Sequence, residues 1–146
     1  MPTPHNNPPG TFAGYASVFN VVDYQNDSIM PGAFAASLAA SLASSRPARL
    51  LWQHDAANPI GRIVAMSEDE IGLRMTAVLA LDSARGRDAY ALLKAGAFDG
   101  LSIGFRPIHT QPAREKGVRL IRTAELWEVS LVTFPANPKA RVLGMS

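Results

Sequence analysis

Apolar and polar residues alternate with a period of two over much of this chain and switch to a period near four in two places. The cleanest alternation is Ile71, Leu73, Met75, Ala77 and Leu79, which predicts a strand with one buried face. Residues 11–20 alternate too, with Phe12, Ala16 and Val18 on one side and Tyr15, Ser17 and Phe19 on the other. Residues 49–53 and 61–66 predict short strands separated by a turn over 56–59, and residues 118–122 and 125–134 supply further strand material. Pro31-Gly32 opens a helix in which Phe34, Leu38 and Leu42 recur every fourth residue, and residues 44–47 stop it. A second helix is predicted over 83–97, with Ala89, Leu92, Leu93 and Gly96 facing inward. Turn formers fill 23–27, 67–70 and 107–117, and Pro135-Ala136-Asn137-Pro138 makes a rigid terminal turn.

One further strand holds Leu101, Ile103 and Phe105 on its buried face, with Ser102 and Gly104 opposite. Six or seven short strands with two helices predict a mainly β fold with flanking helices, a small barrel or half-open sheet with the helices packed outside. Residues 1–10 are polar and rich in Pro and Asn and read as a leader, leaving 11–146 as a single domain. A chain of 146 residues, 47% hydrophobic and 18% charged, is long and apolar enough to bury a proper core.

Charge and composition then exclude several functions. With 14 basic and 12 acidic residues, and no basic run interleaved with aromatics, a nucleic-acid surface is not expected. The absence of cysteine removes disulfides, thiolate catalysis and Cys-ligated zinc. The leader is not a signal peptide and no apolar run reaches the length of a membrane span, so a soluble intracellular or intraparticle protein without membrane contact is expected. His-x-x-x-His pairs, carboxylate clusters and phosphate-binding glycine loops are missing, so neither metal nor cofactor is expected. Asp23 and Asp27 read as loop residues, with ion binding as the alternative.

Three residues remain as candidate chemistry. Ser102 is a small hydroxyl flanked by glycines, with room above for a carbonyl carbon, although a serine filling a tight spot in a strand has the same signature. His54 ends a strand in Leu51-Trp52-Gln53-His54-Asp55, where working side chains tend to stand over a scaffold; a locally satisfied histidine is the commoner case. His5 lies in the leader, and His109 lies too far along the strand from Ser102. Glu128 shares a strand face with Ser130 and Val132, opposite an apolar face of Trp127, Val129 and Leu131. A carboxylate there calls for a partner, unless it sits at an edge facing water or pairs with Arg106 or Arg122. A hairpin centred on Glu115 would set Ser102 directly across from Glu128, and a slip of two residues would keep both on one face. Serine, histidine and carboxylate are the parts of nucleophilic acyl transfer.

Several segments resemble the prohead (capsid maturation) proteases of tailed phages, the HK97-type family. They are Gly14-Tyr15-Ala16-Ser17-Val18-Phe19-Asn20, Pro31-Gly32-Ala33-Phe34, Leu51-Trp52-Gln53-His54-Asp55 and Pro59-Ile60-Gly61-Arg62, followed by residues 96–105 and 128–138. They run through nearly the whole chain in the family's order. That family is similar to the herpesvirus assemblins, serine proteases with a small assemblin-like β-barrel surrounded by α-helices. The resemblance implies His54 as general base and Ser102 as nucleophile, and it offers Glu128 where assemblins use a second histidine. No arginine pair follows Glu128, so the resemblance leaves the oxyanion site unassigned, with the amides near Ala136-Asn137 as one option. The implied activity is a serine endopeptidase that cuts the scaffolding segment or N-terminal arm from the major capsid protein, and itself. It would act in the host cytoplasm inside an assembling procapsid, of a phage or a phage-derived particle. The implied partners are the major capsid protein and its scaffolding segment, with a homo-oligomer left open. Family members often extend into a tail removed by processing, and the resemblance leaves open whether a chain stopping at Ser146 is such a trimmed form. The first rival reading is a catalytically inactive assembly factor that only binds capsid protein; the second, an esterase or amidase on small substrates, is weakened by the lack of a Gly-x-Ser-x-Gly elbow.

Overall fold

The computed structural model describes residues 7–146, in which eight strands and two helices follow one another. They are β1 (Thr11–Val18), β2 (Asp27–Ile29), α1 (Ala35–Ser44), β3 (Arg49–Trp52), β4 (Asp55–Glu68) and β5 (Gly72–Leu79). After them come α2 (Ala84–Lys94), β6 (Gly100–Pro112), β7 (Arg119–Val132) and β8 (Val142–Met145). The mainly β class with flanking helices is the fold observed. His5 and the first six residues of the expected leader lie outside the described residues. Gly10 is tied into the sheet, its N–H donating to the Ser146 carbonyl at 2.8 Å.

β7 is the seam of the sheet. Its first residues pair in parallel with β2, from Asp27↔Arg119 to Ile29↔Ile121, and its last with β3, from Arg49↔Glu128 to Trp52↔Leu131. Along its other edge it pairs antiparallel with β6 over its whole length. From β3 the sheet continues through β4, β5 and β1 to β8. The Leu101 N–H donates to Ala140 O at 2.9 Å and the Val142 N–H to Asp99 O at 2.8 Å, tying the start of β6 to the segment that leads into β8. The sheet thereby curls into a half-barrel. Its concave face buries Phe12, Leu50, Ile60, Leu73, Met75, Leu101, Ile121, Val129 and Leu131. Burial of these apolar side chains, each giving about 1.5–3 kcal/mol, is the main force holding the shell closed.

The helices flank this core. Ser83 caps α2 by accepting the Gly86 N–H at 3.0 Å, Ala89 and Leu93 face the sheet, and Gly96 ends the helix with φ +70°. Phe34, at the N-cap of α1, is fully buried, and Leu38 packs on the core behind it. Leu42, by contrast, is 84% exposed, and Leu92 also faces outward, because each helix touches the sheet over only a narrow stripe.

Several strand boundaries differ from those the pattern predicts. The turn expected over 56–59 is strand, because β3 and β4 are joined by the two-residue turn Gln53-His54 with φ of +49° and +60°. A tight hairpin needs positive φ at both positions, and the sequence lacks the Asn-Gly or Asp-Gly pair that normally announces one. The polar stretch from Pro107 is also strand up to Pro112, with register shifts at Gly104/Phe105, Pro107/His109 and His109/Thr110 absorbing the broken alternation. Two prolines fit there because the outer edge of β6 has no strand beside it among the described residues. Residues 118–122 and 125–134 accordingly belong to one strand, β7, and β8 adds an eighth strand at the C-terminal end.

Candidate active site

The β3–β4 turn, β6 and β7 bring the candidate residues together. The turn is clamped to the end of β7: the Gln53 N–H donates to Leu131 O at 3.0 Å, and Gln53 and Thr133 exchange two bonds of 2.8 and 3.2 Å. His54 follows in the left-handed region, which histidine tolerates better than most residues. Its ring reaches over β7, where Nδ1 contacts Glu128 Oε1, and its own N–H donates to Ser130 Oγ at 3.0 Å. The Ser130 hydroxyl donates in turn to Glu128 Oε2 at 2.6 Å.

Glu128 therefore sits within the protein rather than facing water, its side chain 13% exposed. Arg106, offered by the sequence as its alternative partner, binds Glu125 at 2.7 Å instead. A carboxylate that accepts from Ser130 holds its second oxygen for the imidazole, fixing Nδ1 as the protonated nitrogen. The bond from Glu128 pushes the His54 imidazole above its usual pKa; partial burial opposes this and the negative charge adds to it.

Register sets the third member. Ser102 lies opposite Ser130, and Gly104 opposite Glu128. The direct Ser102–Glu128 pairing expected from a hairpin centred on Glu115 is thus displaced by two residues, which keeps both on one face. Two offsets add up to this displacement: the hairpin closes with the Ala113 N–H donating to Val118 O, one residue further along than a centre at Glu115 allows, and the bulge between Gly104 and Phe105 adds the second. Ser102 itself is 6% exposed and its hydroxyl hydrogen-bonds to none of the described residues. It opens with His54 onto a cavity of about 590 Å³ walled by Ile29, Ile103 and Phe105, the loop Asp23–Gln25 and residues 134–137.

The flanking glycines do not leave open space, as the sequence pattern suggests. A Cβ on Gly100 would lie 2.7 Å from Val132 O and 2.8 Å from Pro135, and one on Gly104 would lie 2.5 Å from Glu128 Oε1. Their role is close approach, and the room above Ser102 comes from the cavity. Ile103 and Phe105 are only partly buried, and they serve the cavity wall as much as the core. Trp127, expected inside with Val129 and Leu131, is 56% exposed. It is the extra residue of the bulge between Gly104↔Glu128 and Phe105↔Leu126, so the alternation flips there and Leu126 is buried in its place.

Asp23 and Asp27 are occupied internally. Asp23 Oδ1 accepts the Gln25 and Asp27 N–H groups at 2.8 and 2.9 Å, and burial pushes its pKa up. Asp27 is bound by both Arg119 nitrogens at 2.9 and 3.1 Å. Among the described residues no group of three or more His, Asp or Glu could hold a metal, and no helix is long and apolar enough to cross a membrane. His109 lies on β6 opposite Thr123, well along the strand from Ser102. Sequence reasoning gave no role to Ser130, Gln53 or Thr133, and it read Gly104 as making room beside Ser102 rather than as admitting Glu128. The signal for Ser130 was present, since it shares a strand face with Glu128 two residues away.

A sequence model of the family described as Caudovirus prohead serine protease matches residues 2–145. The prohead protease of Enterobacteria phage HK97 is 33% identical over 138 residues, covering 93% of this chain and 60% of that protein. The prohead protease of Escherichia phage T5 is 30% identical over 88 residues, covering 60% and 41%. This chain thus spans about 60% or less of the length of these relatives. Among solved structures, the bacteriophage T4 capsid assembly protease is similar in fold, with a TM-score of 0.68 at 14% identity over 90% of this chain and 88% of that one.

Proposed function

Because the chain belongs to the Caudovirus prohead serine protease family, we propose that it is a serine endopeptidase of capsid maturation. Its substrates are the scaffolding segment or N-terminal arm of the major capsid protein, and the chain itself. Its place of action is the assembling procapsid of a phage or phage-derived particle, in the host cytoplasm. One observation carries this reading: His54 is held through Nδ1 by Glu128, while its ring and the unbonded Ser102 hydroxyl open onto one cavity.

In the reaction, His54 Nε2 takes the Ser102 proton as Oγ attacks the scissile carbonyl, and Glu128 stabilises the imidazolium that forms. The imidazolium then gives that proton to the leaving amine as the C–N bond breaks. A water molecule, deprotonated by the same nitrogen, releases the acyl group and restores Ser102. The backbone at Ala136–Asn137 borders the cavity and is the candidate to bind the oxyanion. The outer edge of β6 beyond Ile103 has no strand beside it among the described residues, which suits an extended substrate paired as an added strand.

Co-expression with the cognate capsid protein, followed by mass-spectrometric mapping of new N-termini, tests the reading. New termini that vanish with Ser102→Ala support it. Absence of cleavage, together with failure of a serine-directed phosphonate to label Ser102, overturns it in favour of an inactive assembly factor.

A further inference from the structure

Ser130 has no part in the three-residue scheme, yet it is the best satisfied polar side chain near it. It is fully buried near the C-terminal end of β7, directly across the ladder from Ser102. A hydroxyl there is costly unless its hydrogen bonds are made, so its presence calls for an account. Both its bonds go to the candidate site. It accepts the His54 N–H at 3.0 Å and donates to Glu128 Oε2 at 2.6 Å, while Glu128 Oε1 meets the His54 ring. The four bonding groups form a closed ring: His54 amide, Ser130 hydroxyl, Glu128 carboxylate and His54 imidazole.

We propose that Ser130 is a positioning residue, whose hydroxyl fixes the rotation of the Glu128 carboxylate and the tautomer of the His54 imidazole. A hydroxyl has one proton. Because the His54 amide occupies a lone pair of Ser130 Oγ, that proton is directed to Glu128. Oε2 is thereby committed and Oε1 is presented to Nδ1. The amide bond acts on the same residue from its other end, holding His54 in a left-handed backbone conformation that is uncommon outside glycine. The amide bond to Ser130 Oγ polarises its O–H and strengthens the bond to Glu128, on which the hydroxyl and the imidazole converge from two sides. The other charged group beside His54, Asp55, is turned to the Ala57 N–H and the Asn58 amide, leaving Glu128 as the charge that acts on the imidazole.

This proposal rests on the protease reading only for its catalytic consequence, and the experiment separates the two. The His54 imidazole is titrated by NMR in a Ser102→Ala background, with and without Ser130→Ala, and cleavage is measured with Ser102 intact. Ser130→Ala is expected to bring the His54 midpoint down toward the ordinary value of about 6.5. It is also expected to lower kcat by about 10–100-fold, with KM unchanged. The double variant Ser130→Ala/Glu128→Gln should be no slower than Glu128→Gln alone, because Ser130 acts through Glu128. An unchanged His54 midpoint, or losses that multiply in the double variant, overturns the proposal. Should Ser130→Ala fail to fold, Ser130→Cys carries the same readouts with a weak donor of similar shape, and a wild-type midpoint there overturns it equally. A wild-type chain that cleaves nothing while Ser130→Ala still moves the His54 midpoint refutes the protease reading and leaves the positioning role standing.

Discussion

Gly104 faces Glu128 across the β6–β7 ladder so closely that a Cβ on Gly104 would lie 2.5 Å from Oε1 and 2.8 Å from Cγ. The obstacle is the far part of a flexible side chain, which can swing aside, and the carboxylate that swings is the one holding His54. Gly104→Ala is therefore expected to fold, with some loss of stability from the bonds to Ser130 and His54 that the displaced carboxylate gives up, while losing about 100-fold in cleavage rate, the loss typical of a catalytic group misplaced by about 1 Å. Gly100→Ala supplies the contrast. Its Cβ would meet Val132 O at 2.7 Å and Pro135, backbone and ring that cannot yield, so this variant should lose stability first. Thermal melts alongside cleavage rates check both. A Gly104→Ala protein with unchanged activity would show that the carboxylate has no bearing on the reaction.

Ser102→Ala removes the proposed nucleophile from a position where only a hydroxyl is lost. Leu101 beside it remains buried and the ladder to Ser130 is made by backbone groups, so the fold should be retained. Cleavage of capsid protein and self-processing should fall by several powers of ten, as when one member of a nucleophile–base unit is deleted. Residual cleavage within a few-fold of wild type would remove the serine mechanism.

What could be read from the chain follows from what patterning encodes. Strand existence and the inward residues of β5 were legible because every second residue there is apolar and no bulge interrupts them. Ser102, His54 and Glu128 were each visible as residues out of keeping with their surroundings. Their mutual placement was legible only to within a two-residue slip, because period-two patterning fixes the face of a strand and not its partner. The Gln53-His54 turn was hidden because its positive φ values are imposed by the clamp to Leu131 and Thr133, contacts about 80 residues away in sequence. Leu42 and Trp127 were misplaced for related reasons. A period of four says that a helix has an apolar stripe but not how much of it a sheet covers, and a bulge reverses alternation without a local sign.

Arg119 and Asp27 give a prediction on stability and substrate binding together. Asp27 is buried at the start of β2, and its carboxylate takes two bonds from a half-exposed Arg119. Arg119→Ala leaves that carboxylate in place without its partner, which should cost about 1–3 kcal/mol. Since Asp27 also anchors the Asp23–Gln25 loop on the cavity wall, KM should rise more than kcat falls. Denaturant melts and steady-state kinetics on a capsid-derived peptide check this. An unaltered melting curve would mean that Asp27 finds water or another donor.

The last prediction concerns pH. As the proposed base, His54 would have to be neutral to accept the Ser102 proton, and the bond from Glu128 raises its pKa above the ordinary value of about 6.5. Activity should therefore rise with pH through a midpoint above 6.5, rather than at the value of an isolated imidazole. Stability runs the other way. The protonated His54–Glu128 pair contributes fully below about 6.5, the unfolded-state value, and its contribution is lost as pH climbs through the raised folded-state pKa. The protein should thus be slightly less stable over the pH range in which it becomes active. Glu128→Gln keeps the side-chain shape but removes the charge, which should lower the midpoint of activity and flatten this part of the stability curve. It should also slow turnover strongly at every pH, since no charge remains to stabilise the imidazolium, though by less than Ser102→Ala. Rate–pH profiles of wild type and Glu128→Gln, taken with melts across the same range, decide the matter. A midpoint that stays put on Glu128→Gln would show that another group sets the His54 proton affinity, and the pairing would then be structural alone.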